Sequence, residues 1–482
     1  MRRQTSRRRA FAAMAIACML LSSCTTADPT LNHAPQTPST SARISAGEGQ
    51  QESSTAGQQP AGKPAAGSSA GGSAITLESA VRMALAWHPS IDEAIGRLNE
   101  SAAEVDVARA GYLPQVRAGI DSAYENGTRN GWRPRFSVSA SQMIYDFGQV
   151  AGSVEARAAG ADVSRAQLLL GIDTLIRDTA NAVIEVQRYR ALSDVAQTQL
   201  AGVQAIADLV RQRSDRGAST RSDEIQADAR VQAAQSTVLE ISAELGRWET
   251  VLANLIGRGG PVSVLADAPQ WLLNACSAAE PDWSQVPAVM EAEARQAEAS
   301  AQLGVTRAQS FPTLSLEANA GYDLNHDSSS SRASTEEPDL SVGLRLSGNL
   351  YDGGATAARR TAADSALNAA RAATSNSRLQ VSSAFMEARA QTSSLQQLLA
   401  SLSGRQDMMR ETRDLYRQQY VELGTRTLLD LLNAEQELHQ AGFDTANAIH
   451  DLRRLGIACI FNTGKARKAF SVDGMAIRGV TL

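Results

Sequence analysis

The sequence contains few aromatic residues and few histidines. Aromatic residues make up 4% of the 482-residue chain, and its five histidines are scattered without the spacing of metal ligands. It contains no G-x-S-x-G, Walker or Rossmann motif, so no pattern indicates a nucleophile, a phosphate site or a metal. The composition suits long helices better than an enzyme core. We therefore predict no catalytic site, no metal and no cofactor.

Long hydrophobic runs are also missing after the N-terminus, where no segment reaches the ~20 apolar residues of a transmembrane helix. A protein of this kind can cross a membrane only as a closed β-barrel, because open strands leave unpaired backbone groups in lipid. The net charge is −5, and removal of five N-terminal arginines would make it −10. This acidity argues against a nucleic-acid partner.

The N-terminus has the pattern of an export signal. An arginine-rich start precedes the apolar run 10–21, which predicts a secretory signal peptide over residues 1–23. Leu21-Ser22-Ser23-Cys24 resembles a bacterial lipobox, which implies acylation of Cys24; ordinary cleavage beside an incidental cysteine is the alternative. Residues 24–75 have almost no large apolar side chain, so we predict a disordered tether.

The rest of the chain repeats one order of elements. Pro89–Pro114 matches Pro287–Pro312 at an offset of 198, and Tyr145–Gly148 matches Tyr351–Gly354 at an offset of 206. The change in offset places an insertion between the strands of the second copy. We predict an internal duplication, with repeat 1 at 76–282, repeat 2 at 283–462 and an irregular tail at 463–482.

Each repeat contains a pair of segments in which apolar and polar residues alternate, at about 115–145 and 313–350. A period of two predicts strands with one apolar face. Four such strands with aromatic residues near their ends, behind an export signal, are typical of a membrane β-barrel. Four strands of a soluble sandwich are the alternative, although a sandwich needs more strands and a core.

A very long helical segment follows each pair of strands. About 70 residues separate Gly148 from Gly217, and as many separate Gly354 from Gly424, which at ~1.5 Å per residue gives about 100 Å. We predict coiled-coil hairpins over 148–257 and 354–461. Gly217 and Gly424 would end the outgoing helices, and Thr220 and Thr427 would begin the returning ones.

The hairpin tips carry the same pattern twice, G-x-x-T-x-x-D-x-x-x-A, at a constant offset of 207: Gly217, Thr220, Asp223 and Ala227; Gly424, Thr427, Asp430 and Ala434. This repeated pattern resembles the TolC family of outer-membrane channel proteins, and the resemblance covers about 76–462. It implies a mainly α fold: a trimeric twelve-stranded β-barrel continued by a long periplasmic α-helical barrel. Four strands per chain agree, because three chains give the smallest closed number here that leaves an open lumen. Any antiparallel coiled coil is the alternative.

The resemblance implies a passive exit duct in the outer membrane, the homotrimeric component of a tripartite export system. A periplasmic adaptor would grip the tips, and an inner-membrane transporter would supply energy. The second tip and the first long helix look like type I secretion components that export adhesins, which favours an ABC transporter. A drug or metal efflux channel with an RND transporter is the alternative. A periplasmic coiled-coil adaptor without a pore is an alternative of a different class, but it would lack the four strands.

The resemblance also implies a gate at the periplasmic end, formed by residues around the two tips: Ser222, Asp223, Tyr420, Arg426, Asp430 and Asn433. Asp430 and Asn433 would face the lumen, where three copies of Asp430 make an acidic ring. Arg426 would close the gate by pairing with Asp223 and Ser222, and Tyr420 would add a hydrogen bond. The alternative is that Arg426 and Asp223 are solvated surface charges.

Two cysteines remain once Cys18 has left with the signal and Cys24 has been acylated. Cys459 corresponds at the 207 offset to position 252, just before the connector that holds Cys276. The two cysteines should therefore lie at one height in an oxidising periplasm, and we predict a Cys276–Cys459 disulfide. Two separate buried thiols are the alternative.

Overall fold

A computed structural model describes residues 74–125, 131–260, 262–277, 280–324 and 339–481, all of them within one unit, Ser69–Leu482. The predicted signal peptide, Cys24 and nearly all of the predicted tether lie outside the described residues. In the part of the chain that is described, no helix has an apolar segment long enough to cross a membrane.

Both predicted repeats contain a helix, two strands and a pair of long helices in the same order, and repeat 1 has one additional helix at its start. Repeat 1 consists of α1 (Leu77–Trp87), α2 (Pro89–Arg109), β1 (Gln115–Glu125), β2 (Gly131–Tyr145), α3 (Gln149–Asp215) and α4 (Arg221–Leu255). After the short α5 (Gln270–Leu273), repeat 2 consists of α6 (Pro287–Ala308), β3 (Thr313–Asp323), β4 (Asp339–Ser347), α7 (Ala355–Gln418) and α8 (Leu428–Asn462). The chain continues with α9 (Ala466–Ala469), β5 (Ala476–Ile477) and β6 (Val480–Thr481).

The helical segment before the first strand is divided at His88 into α1 and α2. His88 is extended, with φ −66° and ψ 127°, because the ring of Pro89 disfavours a helical conformation in the residue before it. The imidazole of His88 then accepts a hydrogen bond from the backbone N–H of Ser90, which caps α2. Pro89 ends one helix and begins the next.

The folded part begins slightly before the predicted boundary of the tether. Ile75 forms a parallel bridge with Val264, and its backbone N–H donates to the carbonyl of Ser263 at 2.8 Å. Its side chain is buried. Ile75 was assigned to the tether, but it is part of the folded region. It is held by a single β-bridge to the connector between the repeats.

The four strands form one antiparallel sheet in the order β1–β2–β3–β4. The pairing of β2 with β3, for example Val138 with Ala320, joins the two repeats. In the described residues β1 and β4 each pair with one strand only, so both are edges. The apolar residues of β4, among them Leu340 and Leu344, are about 70% exposed. Among the described residues no core covers this sheet, which argues against a soluble sandwich.

The repeated Tyr-Asp-x-Gly motif makes the junction between strand and long helix. Gly148 and Gly354 have φ of +90° and +89°, a left-handed conformation that favours glycine. Asp146 and Asp352 each accept hydrogen bonds from the backbone N–H groups two and four residues further on. The carboxylates thereby satisfy N–H groups at the start of α3 and α7 that have no partner inside the helix.

The long helices have the predicted lengths but different degrees of burial. The outgoing helices α3 and α7 have 67 and 64 residues, and the returning helices α4 and α8 have 35 each. Helix α3 is buried along most of its length, whereas few residues of α7 are buried. Several large apolar side chains of α7 are exposed: Leu379, Met386, Leu398, Met408 and Leu415. One chain therefore leaves α7 without a complete packing partner.

The predicted disulfide is confirmed. Cys276 lies in a short 3₁₀ turn of the connector and Cys459 lies in α8, with their Cα atoms 5.3 Å apart. Phe385 and Ala388 of α7 pack around the pair. The disulfide fastens the connector between the repeats to the second hairpin.

The C-terminal tail, predicted to be irregular, contains only the short elements α9, β5 and β6, but it is folded into the core. Phe470 is 1% exposed and packs against Trp271. Arg467 donates to Asp173 of α3 at 2.8 Å and to the carbonyl of Gln285 at 3.0 Å. A buried charge needs such a partner, and here the pair joins the tail to both repeats.

The Asp173–Arg467 pair makes stability depend on pH. Burial raises the pKa of Asp173 from 3.8 to about 7, although the Arg467 charge lowers it. Between about pH 4 and about pH 7, Asp173 keeps its proton in the folded state and has lost it in the unfolded state. Stability contributed by this group is therefore present at low pH and falls as the pH rises through that window.

Replacing Arg467 with glutamine should cost more stability at high pH than at low pH. At about pH 8 the variant leaves a buried carboxylate without its partner, a loss of about 3–5 kcal/mol, whereas at about pH 5 Asp173 is neutral and the loss is smaller. Urea unfolding of the detergent-solubilised protein at both pH values measures this. Adding Asp173→Asn should abolish the difference, and an equal loss at both pH values would contradict the assignment.

Candidate functional site at the hairpin tips

The two hairpin tips are built as the sequence predicts. The first tip joins α3 to α4 through Gly217, which has φ +73°, and Thr220 caps α4. The second tip joins α7 to α8 through Gly424, with φ +61°, and Thr427 caps α8. The structure differs in one detail, since α7 ends in a π-helical turn, Gln419–Leu423, rather than in a regular turn.

The Thr-x-x-Asp part of the tip pattern forms a capping box at both tips. Asp223 accepts a hydrogen bond from the backbone N–H of Thr220 at 2.9 Å, and the Thr220 hydroxyl accepts one from the N–H of Asp223 at 3.2 Å. Thr427 and Asp430 make the same pair of bonds, each 3.2 Å long. Reciprocal bonds of this kind satisfy two N–H groups at a helix start. Both carboxylates are therefore engaged by their own helix.

The predicted latch is absent within one chain. Arg426 donates to Gln419 at 3.2 Å, and its guanidinium lies 4.4 Å from the centre of the Tyr416 ring. Among the described contacts it pairs with neither Asp223 nor Ser222, and its nearest carboxylate oxygen, on Asp430, is 4.0 Å away. A latch between neighbouring chains stays a prediction.

The residues predicted to face the lumen lie on α8, close to the second tip. Asp430 is half-buried and Asn433 is exposed. The side-chain oxygen of Asn433 is 3.4 Å from a guanidinium nitrogen of Arg230, on α4. The predicted acidic ring requires several chains and stays a prediction.

Tyr420 supplies the predicted hydrogen bond, and its partners are on the first tip. Its hydroxyl lies 3.3 Å from that of Ser219. Arg213 of α3 donates to the backbone carbonyl of Tyr420 at 2.7 Å and places its guanidinium 4.6 Å from the ring centre. A carbonyl near the end of a helix lacks an internal donor and is a good acceptor. Arg213 thus caps α7 from a different helix.

An apolar cluster lies next to this link. Its buried members come from α3, α4, the π turn and α8: Val203, Ile206, Ala207, Val210, Ala227, Tyr420, Leu428, Leu431 and Leu432. Helix α8 contributes three leucines at positions 428, 431 and 432. The two tips of one chain are therefore packed together as well as hydrogen-bonded.

Beside this cluster lies a charged group that the sequence reasoning missed. Glu435 of α8 is 1% exposed, and its carboxylate is 3.2 Å from Arg413 of α7 and 3.0 Å from His439. Burial alone would raise the pKa of Glu435, but the bonds with His439 and Arg413 lower it below its usual value. The signal in the sequence was a glutamate within an apolar stripe of leucines.

No residues of the described ranges form a group of three or more side chains that could hold a metal ion. The tips instead combine capped helix ends, an apolar cluster and ion pairs.

The family of the chain follows from a comparison with known proteins. The family model described as outer membrane efflux protein matches residues 80–258 and 284–454, which are the two repeats. The chain belongs to this family. The predicted TolC-like duplication is confirmed, and family members are passive channels rather than enzymes.

Relatives in this family carry different names. The chain is 25% identical over 303 residues to protein CyaE of Bordetella pertussis, covering 58% of this chain and 61% of that protein. It is 27% identical over 259 residues to nodulation protein T of Rhizobium leguminosarum, covering 50% and 52%. It is 23% identical over 390 residues to the pyoverdine export outer membrane protein OpmQ of Pseudomonas aeruginosa, covering 76% and 80%. The first two alignments thus span less than two thirds of each relative.

Solved structures share the fold. The outer-membrane channel OprN matches with a TM-score of 0.69 at 24% identity, covering 81% of this chain and 90% of that one. CusC matches with a TM-score of 0.70 at 19% identity, covering 80% and 91%. VceC of Vibrio cholerae matches with a TM-score of 0.70 at 19% identity, covering 80% and 96%. These similarities show the same arrangement of strands and long helices.

The capping boxes predict a local effect for Thr220→Ala. Loss of the cap should destabilise the first turn of α4 by about 0.5–2 kcal/mol, seen as faster amide hydrogen exchange at residues 221–224. Thr220→Ser keeps the hydroxyl and serves as the control. Asp223→Ala should speed the same exchange. If Asp223→Ala instead changed channel conductance and left the exchange unaltered, Asp223 would belong to a latch.

Proposed function

We propose that the protein is the outer-membrane exit duct of a tripartite export system and that it conducts passively. One observation carries this proposal: a four-stranded sheet with exposed apolar residues and two open edges continues directly into helical hairpins of about 100 Å. Lipid tolerates no open sheet edge, and helices of this length suit a passage through the periplasm. Family membership supports an adaptor and an inner-membrane transporter as partners.

The working unit is a homotrimer. Three copies would supply twelve strands and pair β4 of one chain with β1 of the next, which satisfies both edges. The same association would cover the exposed apolar residues of α7. Two copies would supply eight strands, whose interior is filled by side chains.

We favour a small molecule as the cargo. Relatives are named for pyoverdine export, for an antibiotic efflux pump and for a probable efflux pump. These names support small-molecule efflux over the adhesin secretion preferred from the sequence. Type I secretion remains the second candidate, supported by the resemblance of the second tip and the first long helix to its outer-membrane components. The transporter would be of RND type in the first case and of ABC type in the second.

Deleting the gene and restoring it on a plasmid separates the two cargo classes. We expect the deletion strain to become more sensitive to small toxic compounds, because these are no longer expelled, and the plasmid to restore resistance. Susceptibility to a compound panel and the inventory of surface proteins are measured together. Loss of one large surface protein with unchanged susceptibility would establish type I secretion and exclude the favoured cargo.

We also propose that Cys24 is acylated and anchors the N-terminus in the outer membrane. Its place after Leu21-Ser22-Ser23 and the lack of an acidic residue at position 25 support this proposal. Metabolic labelling with palmitate should mark the wild type and spare Cys24→Ala. Cys24→Ala should weaken export without abolishing it, since the strands insert independently. Equal labelling of the two proteins would refute acylation at this residue.

A further inference from the structure

The two outgoing long helices are supported differently at mid-length. Helix α3 runs through the main apolar core, to which it contributes residues such as Val183, and α1, the connector and the C-terminal tail surround it there. Among the described residues, α7 contributes none to that core. It packs instead on a small cluster in which Phe385 and Ala388 surround the Cys276–Cys459 disulfide. Within the described ranges, repeat 2 has no helix in the place that α1 fills in repeat 1.

The duplication shows what the disulfide replaces. At the offset of 207, Cys459 corresponds to Leu252, which is fully buried in the main core. At the offset of 206, Ala388 corresponds to Ala182, which lies in the same core. The same face of the outgoing helix is therefore buried in both repeats, by extensive apolar packing in repeat 1 and by a few side chains and one covalent bond in repeat 2. Small apolar cores stabilise little by themselves, and disulfides commonly compensate.

The disulfide also lies where the partners of α7 change. Towards the strands α7 contacts α6, where the Thr374 hydroxyl donates to the carbonyl of Ala292 at 3.2 Å. Towards the tip it contacts α8, where Arg413 lies 3.2 Å from Glu435. The disulfide cluster lies between these two sets of contacts. Two of the five buried side chains of α7 belong to this cluster, so it holds the middle of the helix to its own chain.

Helix α7 has a second apolar face, which is exposed. With about 100° per residue, four exposed apolar side chains lie within about 40° of one another and about 100–180° away from Phe385 and Ala388: Leu379, Met386, Met408 and Leu415. The disulfide cluster holds the inner face, and association with another chain would cover the outer one. The position of the inner face therefore sets the position of the outer face, because both belong to one helix.

The sulfur atoms are accessible to a reagent only while α7 is not packed. Cys459 is 0% exposed and Cys276 is 6% exposed, and Phe385, itself 2% exposed, covers them from α7. The Thr392 hydroxyl lies 3.3 Å from the Cys276 sulfur. A disulfide forms by exchange, in which a thiolate attacks a sulfur of the oxidant and a mixed disulfide results. Such an intermediate has no room beside a packed α7, so oxidation has to come first.

We propose that Cys276 and Cys459 are oxidised before α7 packs, by a periplasmic protein that carries a reactive disulfide, and that this oxidation is required for association of the chains. The two thiols lose two protons and two electrons as their S–S bond forms, and the disulfide of the oxidant is reduced to two thiols. In a reduced chain the middle of α7 is held loosely, so its outer face is not presented to the next chain. This inference rests on the proposed function only for the homotrimer.

Amide hydrogen exchange tests whether the disulfide holds α7. The wild type is compared with the double variant Cys276→Ala/Cys459→Ala in the same state of assembly. We expect about tenfold faster exchange over residues 379–398 in the variant, because local opening is easier without the bond. Residues 173–192 of α3, at the equivalent height, should be unchanged and show that the chain is folded. Unchanged exchange at 379–398, or an equal rise in both helices, would refute the role of the disulfide.

Timed reduction in cells tests the order of events. Dithiothreitol is added before or after a pulse of labelled chains has assembled, and trimers are quantified by electrophoresis without boiling. Early addition should lower the yield of wild-type trimer by about tenfold, to the level of the double alanine variant, and late addition should leave it unchanged. A double variant that assembles as well as the wild type, or whose yield falls equally with dithiothreitol, would overturn the proposal.

Removing the cover of the disulfide checks its burial. The disulfide of the assembled wild type should resist dithiothreitol, whereas reduction in Phe385→Ala should be about tenfold faster because the sulfur atoms become accessible. Alkylation and mass spectrometry of the peptides that contain Cys276 and Cys459 measure this. Equal rates of reduction in assembled and in urea-unfolded wild type would rule out the proposed order. Wild-type protein that forms no trimer would contradict the proposed function, and the exchange in α7 would still decide the role of the disulfide.

Discussion

The open edges of the four-stranded sheet are the constraint from which the remaining architecture follows. In the part of the chain that the structure describes, the outer edges of β1 and β4 have no strand partner for their backbone N–H and C=O groups, and the apolar residues of β4 are exposed. Each long helix begins close to the end of a strand, where Asp146, directly after β2, and Asp352, five residues after β4, accept hydrogen bonds from backbone N–H groups at the start of α3 and α7. Helix α7 is also incompletely packed, because several of its large apolar residues are exposed.

Much of this arrangement could be predicted because the duplication makes each structural motif occur twice in the sequence. The Tyr-Asp-x-Gly junction, the tip glycines and the threonine caps recur at nearly constant offsets, and each has a local physical cause that does not depend on distant residues. The disulfide could be predicted for a related reason, since the offset placed Cys459 at the height of Cys276. Local sequence motifs and the internal duplication thus predict most of the fold.

The gate was harder to predict because its contacts join distant segments. The Thr-x-x-Asp spacing is that of a capping box, and this local structure explains Asp223 without a latch. Tyr420, whose carbonyl accepts a hydrogen bond from Arg213, lies in the π turn Gln419–Leu423, and nothing in the sequence indicates that turn. Glu435 was visible as a charge among leucines, but its partner on α7 could not be identified without the packing of the helices.

The buried tail has a consequence for the biogenesis of the protein. Arg467 binds a residue 294 positions earlier in the chain, and Arg478 donates to the carbonyl of Ala86, 392 positions earlier. The core around α1 and α3 therefore remains incomplete until the last segment has been synthesised and exported. Contacts of such long sequence separation form slowly and leave apolar surface exposed in the meantime. The last residues thus complete the core, and a truncated product would leave apolar side chains around α1 and α3 exposed.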